Sequence, residues 1–202
     1  MLHPNCNSTF HDYRHKVFFP FVFSIMRKVK RTDIVFDVYS QHSLKLLTRE
    51  ERGAENRLHI TANTKIPANW QKMLRVDENK TELFQFLADT DLSCLIIPEK
   101  IVVMTSRDTV KASNSTLDVS GIEKCSHEEA DTRIILHCLH HQCRLLNSVA
   151  VRTVDTDIVV LAASFFSSLV VRVSQKKTTF EMCGSHPLKG FLLLSYYIRN
   201  FF

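Results

Sequence analysis

Glycine is nearly missing, with four residues in a chain of 202. No glycine-rich phosphate loop is present, so Walker-type and dinucleotide-binding folds are hard to support. The six cysteines (Cys6, Cys94, Cys125, Cys138, Cys143 and Cys183) contain no CxxC pair and no regular framework. That scatter favours reduced thiols inside a cell. No credible signal peptide precedes the sequons at Asn7, Asn79 and Asn114, which are therefore read as chance. Long apolar runs are also lacking. VFFPFVFSI, from Val17 to Ile25, is about half the length a bilayer span needs and is interrupted by Pro20, so it reads as a buried helix segment. No membrane partner is expected. The single tryptophan, Trp70, reads as a core anchor rather than a base-stacking platform.

What remains is an ordinary globular composition, 45% hydrophobic and 23% charged. The length suffices for one α/β domain with a real core. A net charge of +5 permits an anionic partner without requiring one. An intracellular location is expected, with neither nucleus nor cytoplasm singled out.

Residues 1–16 are polar. The apolar run that follows ends in a basic cluster, Arg27, Lys28, Lys30 and Arg31, which closes a helix by complementing its dipole or else binds an anion. DIVFDV, Asp33 to Val38, reads as a central strand with Asp37 near its end. SLKLLTREERGAENR then looks like a helix ending at Gly53, with Lys45, Arg49 and Arg52 sharing one side. That side is either a phosphate-contacting face or a solvated one laced with Glu50 and Glu51. NKTELFQFLA, from Asn79, reads as an amphipathic helix, Lys100 to Ser106 as a buried strand, and Arg107 to Gly121 as a loop.

The stretch from Cys125 to Leu161 carries the chemistry. Ser126 and Glu129 have capping-box spacing, opening a helix of about 15 residues. SVAVRTV reads as a short buried strand, with Asp155 at its end and Asp157 opening the next element. Glu129 with Asp131, and Asp155 with Asp157, form two close pairs of carboxylates beside apolar residues. Such acids cost free energy unless a cation or hydrogen bonds compensate them. Strand carboxyl ends are where α/β sheets gather ligands. The neighbouring His137, His140, His141 and Cys143 crowd one helix. The His137–His141 spacing suits zinc, but no HExxH motif accompanies it, so a surface or half-buried histidine cluster is expected. Strands alternating with helices imply a mostly parallel sheet. LVVRV at 169–173 is a further strand candidate, and GFLLLSYYIRNFF ends the chain without an obvious place to be buried. It reads as a missing continuation or an aberrant tail.

EEADTR followed by TVDTDIVVL resembles the internal region of flap endonuclease and XPG-like nucleases of the PIN-like superfamily. DIVFDVYSQHSLK resembles their upstream strand and the basic helical stretch after it. The chain is similar, closer still, to mobile-element-associated animal proteins with this core, in the segments VFFPFV, VFDVY, NWQ, LRVDENKTELF, DVSG, CSHEEADTR and RTVDTDIVVL. The resemblance covers roughly residues 10–165. It implies a three-layer α/β/α PIN-like domain over residues 1–165, incomplete at both ends, followed by an uncertain tail at 166–202.

The resemblance also implies that Asp37, Glu129, Asp131, Asp155 and Asp157 hold Mg2+ or Mn2+, with Glu128 a further acid beside them. Lys45, Arg49 and Arg52 then hold phosphates of DNA or RNA. Two acids of the family pattern have no counterpart here, one on a first strand and one in a later Gly-Cys-Asp motif. The expected activity is therefore phosphodiester hydrolysis that is weak or lost. The alternatives are a non-catalytic module binding nucleic acid or protein, and a non-functional gene fragment.

Overall fold

Pro20 shapes the first helical element. The computed structural model describes residues 2–4, 8–36, 57–106, 109–123, 130–142, 148–153, 160–161, 170–175, 178–182 and 193–198. Helix α1 (Phe10–Tyr13) opens on a capping box in which Thr9 Oγ1 accepts from the Asp12 amide and Asp12 accepts from the Thr9 amide. The winding then widens into a π-helical turn, Arg14–Phe18, with the Phe19 amide reaching back to the Arg14 carbonyl. Helix α2 (Phe19–Met26) follows, with Pro20 in its first turn. A proline has no N–H to donate and its ring crowds the carbonyl four residues before it. A wider turn immediately upstream relieves both problems.

Strand β1 (Arg31–Phe36) is buried at all six positions. Helices α3 (Trp70–Met73) and α4 (Asp77–Ala88) and a 3-10 turn (Leu92–Leu95) lead to β2 (Ile101–Ser106), which pairs with β1 in parallel. Strand β3 (Thr109–Ala112) folds back antiparallel on β2. Helices α5 (Ser120–Glu123) and α6 (Ala130–Gln142) precede β4 (Ser148–Thr153). Strands β5 (Val170–Gln175), β6 (Thr178–Met182) and β7 (Leu193–Ile198) complete a seven-stranded sheet in the order β3-β2-β1-β7-β4-β5-β6. The fold is mixed α/β. β7 runs parallel to both of its neighbours, β1 and β4, and β5 runs parallel to β4.

The two faces of β1 meet different partners. Phe36 stacks on Phe84 of α4 with ring centroids 5.2 Å apart, and lies 6.4 Å from Phe18. With Ile34, Val102 and Met104 these residues belong to the main apolar cluster, which also holds Phe10, Tyr13, Val22, Trp70 and Leu87. The opposite face carries Arg31 and Asp33, which meet α6. A strand covered on both sides reads as a near-continuous buried run, as β1 does.

Several expectations match these elements. Trp70 is buried in the core, the run from Val17 is helical and contributes Phe18, Phe19, Val22 and Ile25 to the interior, and Asn79–Ala88 lies within α4. The expected strands at Lys100–Ser106 and at 148–153 correspond to β2 and β4, and the candidate at 169–173 to β5. Three features differ. Arg31 does not close a helix, since α2 ends at Met26 and Arg31 begins β1 with only 4% of its surface exposed. The polar stretch Arg107–Gly121 contains an edge strand, β3, whose partner pairing outweighs weak local propensity. Residues beyond 165 contribute three strands to the same sheet, β7 between β1 and β4. The side chain of Asn79 accepts from the Leu58 amide and donates to the Met73 carbonyl in a buried position, a structural role for this sequon residue. Cys94 and Cys138 are free thiols. No helix among the described residues is long and apolar enough to cross a membrane.

Candidate functional site

Buried charge is concentrated where α6 crosses β1. Arg31 Nε donates to Asp33 Oδ1 at 2.7 Å and Nη2 to Oδ2 at 2.8 Å, a bidentate pair between side chains of adjacent same-face positions on one strand. His137 Nδ1 lies 3.0 Å from Asp33 Oδ2, and its Nε2 lies 3.1 Å from Thr105 Oγ1 on β2. A carboxylate only accepts, so Nδ1 carries the proton, and the rotating Thr105 hydroxyl serves Nε2 in either role. Arg31 Nη1 is 3.2 Å from His140 Nδ1, and His140 Nε2 is 2.8 Å from the Asp118 carbonyl. A guanidinium only donates and a carbonyl only accepts, which fixes the His140 tautomer. One chain of contacts thus joins the turn before α5, helix α6 and strands β1 and β2.

Asp33 and His137 are fully buried. Burial alone would raise the Asp33 carboxyl, but the adjacent Arg31 charge and the His137 hydrogen bond reverse this and lower it from 3.8 to about 2. The Asp33–His137–Thr105 line has the order of an acid, an imidazole and a hydroxyl, yet Thr105 has no exposed surface from which to attack a substrate. Its chemistry is positional. His137 is also unsuited to zinc, because both ring nitrogens are engaged. The expected surface or half-buried histidine cluster is thereby corrected at His137, while His140 is half-buried and Cys143 lies outside the described residues.

This network sets the height of α6 on the sheet. His140 meets Arg31 and His137 meets Asp33, so α6 runs antiparallel to β1. From His137 back to Asp131 is about 9 Å of helix. The same distance along β1 from Asp33 is about three residues and ends at Phe36. Asp131, near the start of α6, therefore stands level with the carboxyl end of β1.

The sheet register makes a matching statement about the strands. Tyr196 of β7 pairs with Ile34 on one side and Arg152 on the other, so Ile34 and Arg152 share a rung. Asp37 follows Ile34 by three positions and Asp155 follows Arg152 by three positions. Two strand spacings, about 9–10 Å, separate β1 from β4. Asp37, Glu129, Asp155 and Asp157 themselves lie outside the described residues, as do Glu128, Lys45, Arg49 and Arg52. Among the described residues no three His, Cys, Asp or Glu side chains are grouped to hold a metal.

Arg31, Asp33, Thr105 and His137 are not announced as a linked set by any motif in the sequence. The alternation Arg-Thr-Asp puts Arg31 and Asp33 on one strand face, and His137 falls within the apolar stripe Ile134, Ile135 and Cys138. A charge or imidazole at a buried phase of the pattern is the available signal. Compared with protein families, with curated proteins and with solved structures, the chain matches none.

Asp33→Ala is expected to cost about 3–5 kcal/mol, because it strands the buried Arg31 charge, and Arg31→Met with Asp33→Leu to recover part of that loss, the His137 Nδ1–H still lacking its acceptor. Urea unfolding of the two variants checks this, and equal destabilisation would mean that the pair does not act as a unit. The acid limb carries a second expectation. Since the Asp33 carboxyl is depressed in the fold, its contribution is present above 3.8 and is lost as pH falls from there to about 2. The double variant should show a flatter fall in urea midpoint across that window.

Proposed function

We propose that the chain is a divalent-metal-dependent nuclease-type domain with a PIN-like three-layer α/β/α fold. Asp37, Glu129, Asp131, Asp155 and Asp157 hold Mg2+ or Mn2+, and Lys45, Arg49 and Arg52 hold the phosphates of DNA or RNA. The observation that carries this reading is the shared rung of Ile34 and Arg152, from which Asp37 and Asp155 are equally distant in sequence. The height of Asp131 on α6 supports it from the helix side.

An all-oxygen, carboxylate-rich donor set fits hard divalent ions rather than zinc or copper. Such ions, when bound, supply the charge that activates water and stabilises a leaving oxygen in phosphodiester hydrolysis. The acids orient the ions, and the basic side chains hold the backbone phosphates by a sequence-independent, salt-sensitive contact. Hydrolysis by these five acids is expected to be weak, and a chain that binds nucleic acid without cutting it would be a binding module on the same fold.

Mn2+ titration followed by electron paramagnetic resonance tests the site. Asp37→Asn and Asp155→Asn should each weaken Mn2+ binding by about tenfold or more, and together by less than the product of the two losses, because neighbours in one site are not independent. Asp89→Asn, an exposed acid elsewhere, serves as the control. Fully multiplicative losses, or none, would mean that Asp37 and Asp155 do not share an ion.

Reversing the charge of Lys45, Arg49 and Arg52 should flatten the logarithmic salt dependence of nucleic-acid binding by roughly 2 to 3, at about 0.7–0.9 for each phosphate contact removed. An unchanged slope would assign these residues to ordinary surface charge.

A further inference from the structure

Two exposed histidines on the first helical element stand apart from both the acids and the buried network. The rings of His11 and His15 lie with centroids 4.3 Å apart at an interplanar angle of 35°. We propose that His11 and His15 form a binding site for one borderline divalent cation, Cu2+, Ni2+ or Zn2+.

The spacing is that of two helical ligands one turn apart, the separation at which paired histidines on a helix hold zinc. Ring nitrogens sharing a tetrahedral ion at 2.0–2.1 Å lie about 3.4 Å from one another. Rings whose centres are 4.3 Å apart reach that separation by side-chain rotation alone.

The surroundings fix the backbone at His11 and pack one side of the His15 ring. The His11 amide donates to the Ala62 carbonyl at 3.0 Å, docking the start of the helix on the loop beneath it. His15 presents its ring to Phe19 edge-on, with centroids 4.9 Å apart at 75°. The intervening acid does not compete, since Asp12 Oδ1 pairs with Lys16 at 2.7 Å and Oδ2 accepts from Thr9. The donor set is imidazole only, which suits copper, nickel and zinc and discriminates against Mg2+ and Mn2+. Two protein ligands leave the remaining positions to water or to an incoming group.

The site is independent of the nuclease reading, and the choice of ion separates the two. Isothermal titration of the full chain with Ni2+ and Zn2+, with Cu2+ followed by electron paramagnetic resonance, should reveal one saturable ion with a two-nitrogen signature. His11→Gln and His15→Gln should each weaken it by about tenfold or more, and the pair together should abolish it. Both side chains are exposed, so the variants should keep the wild-type circular dichroism. In the unsubstituted chain, substoichiometric Cu2+ should broaden amide resonances of residues 10–16 before any others. Wild-type affinity in the double variant would overturn the proposal, and so would broadening that begins elsewhere.

Discussion

The contact between Asp33 and its three buried donors constrains more of this molecule than any other interaction. Arg31 and His137 between them fill the carboxylate, and each also reaches outward, to His140 and Thr105. An isolated carboxylate could not remain ionised at a position with no exposed surface. Its partners must come from a fixed direction and at a fixed height. A helix packed only through apolar side chains can slide by a turn at modest cost, whereas one that must place His137 on Asp33 has a single register. The apolar side of the sheet shows the contrasting arrangement, with aromatic rings of Phe18, Phe36 and Phe84 filling space without a comparable directional demand.

Strands were legible in the sequence where burial on both faces demanded uninterrupted β-branched residues. Ile34 and Val35, and Val102 and Val103, mark β1 and β2 in this way. β3 was not legible, because the alternation in TVKA, with Val110 and Ala112 on its half-buried side, is too short to announce a strand, and it owes its existence to the free edge of β2. β7 was hidden for a different reason. Nothing local to LLSYYI says that it enters between β1 and β4, a placement made by pairing with strands distant in sequence.

The charged network escaped the reading because its members looked conventional one at a time. Arg31 stood among cations after a helix, Asp33 opened a strand, and His137 belonged to a histidine-rich helix. Only the fold brings a residue of β1 against one of α6, about a hundred positions apart. The acids Asp37 and Asp155 present the reverse situation. They were conspicuous as residue types, and the sheet adds a common rung from which each departs.

The edge strand β3 has one more implication. At four residues, and antiparallel to its neighbour, it is too short to template a long partner strand. Lys111, in the middle of it, folds back so that its ammonium reaches the Ala88 carbonyl and the Asp89 carboxylate at the end of α4. A strand arriving from another molecule would find four residues to pair with, beside a partly exposed cation. The brevity and charge of this strand discourage self-association by strand addition on this side, and the same lysine ties the border of the sheet to the helix that packs over β2.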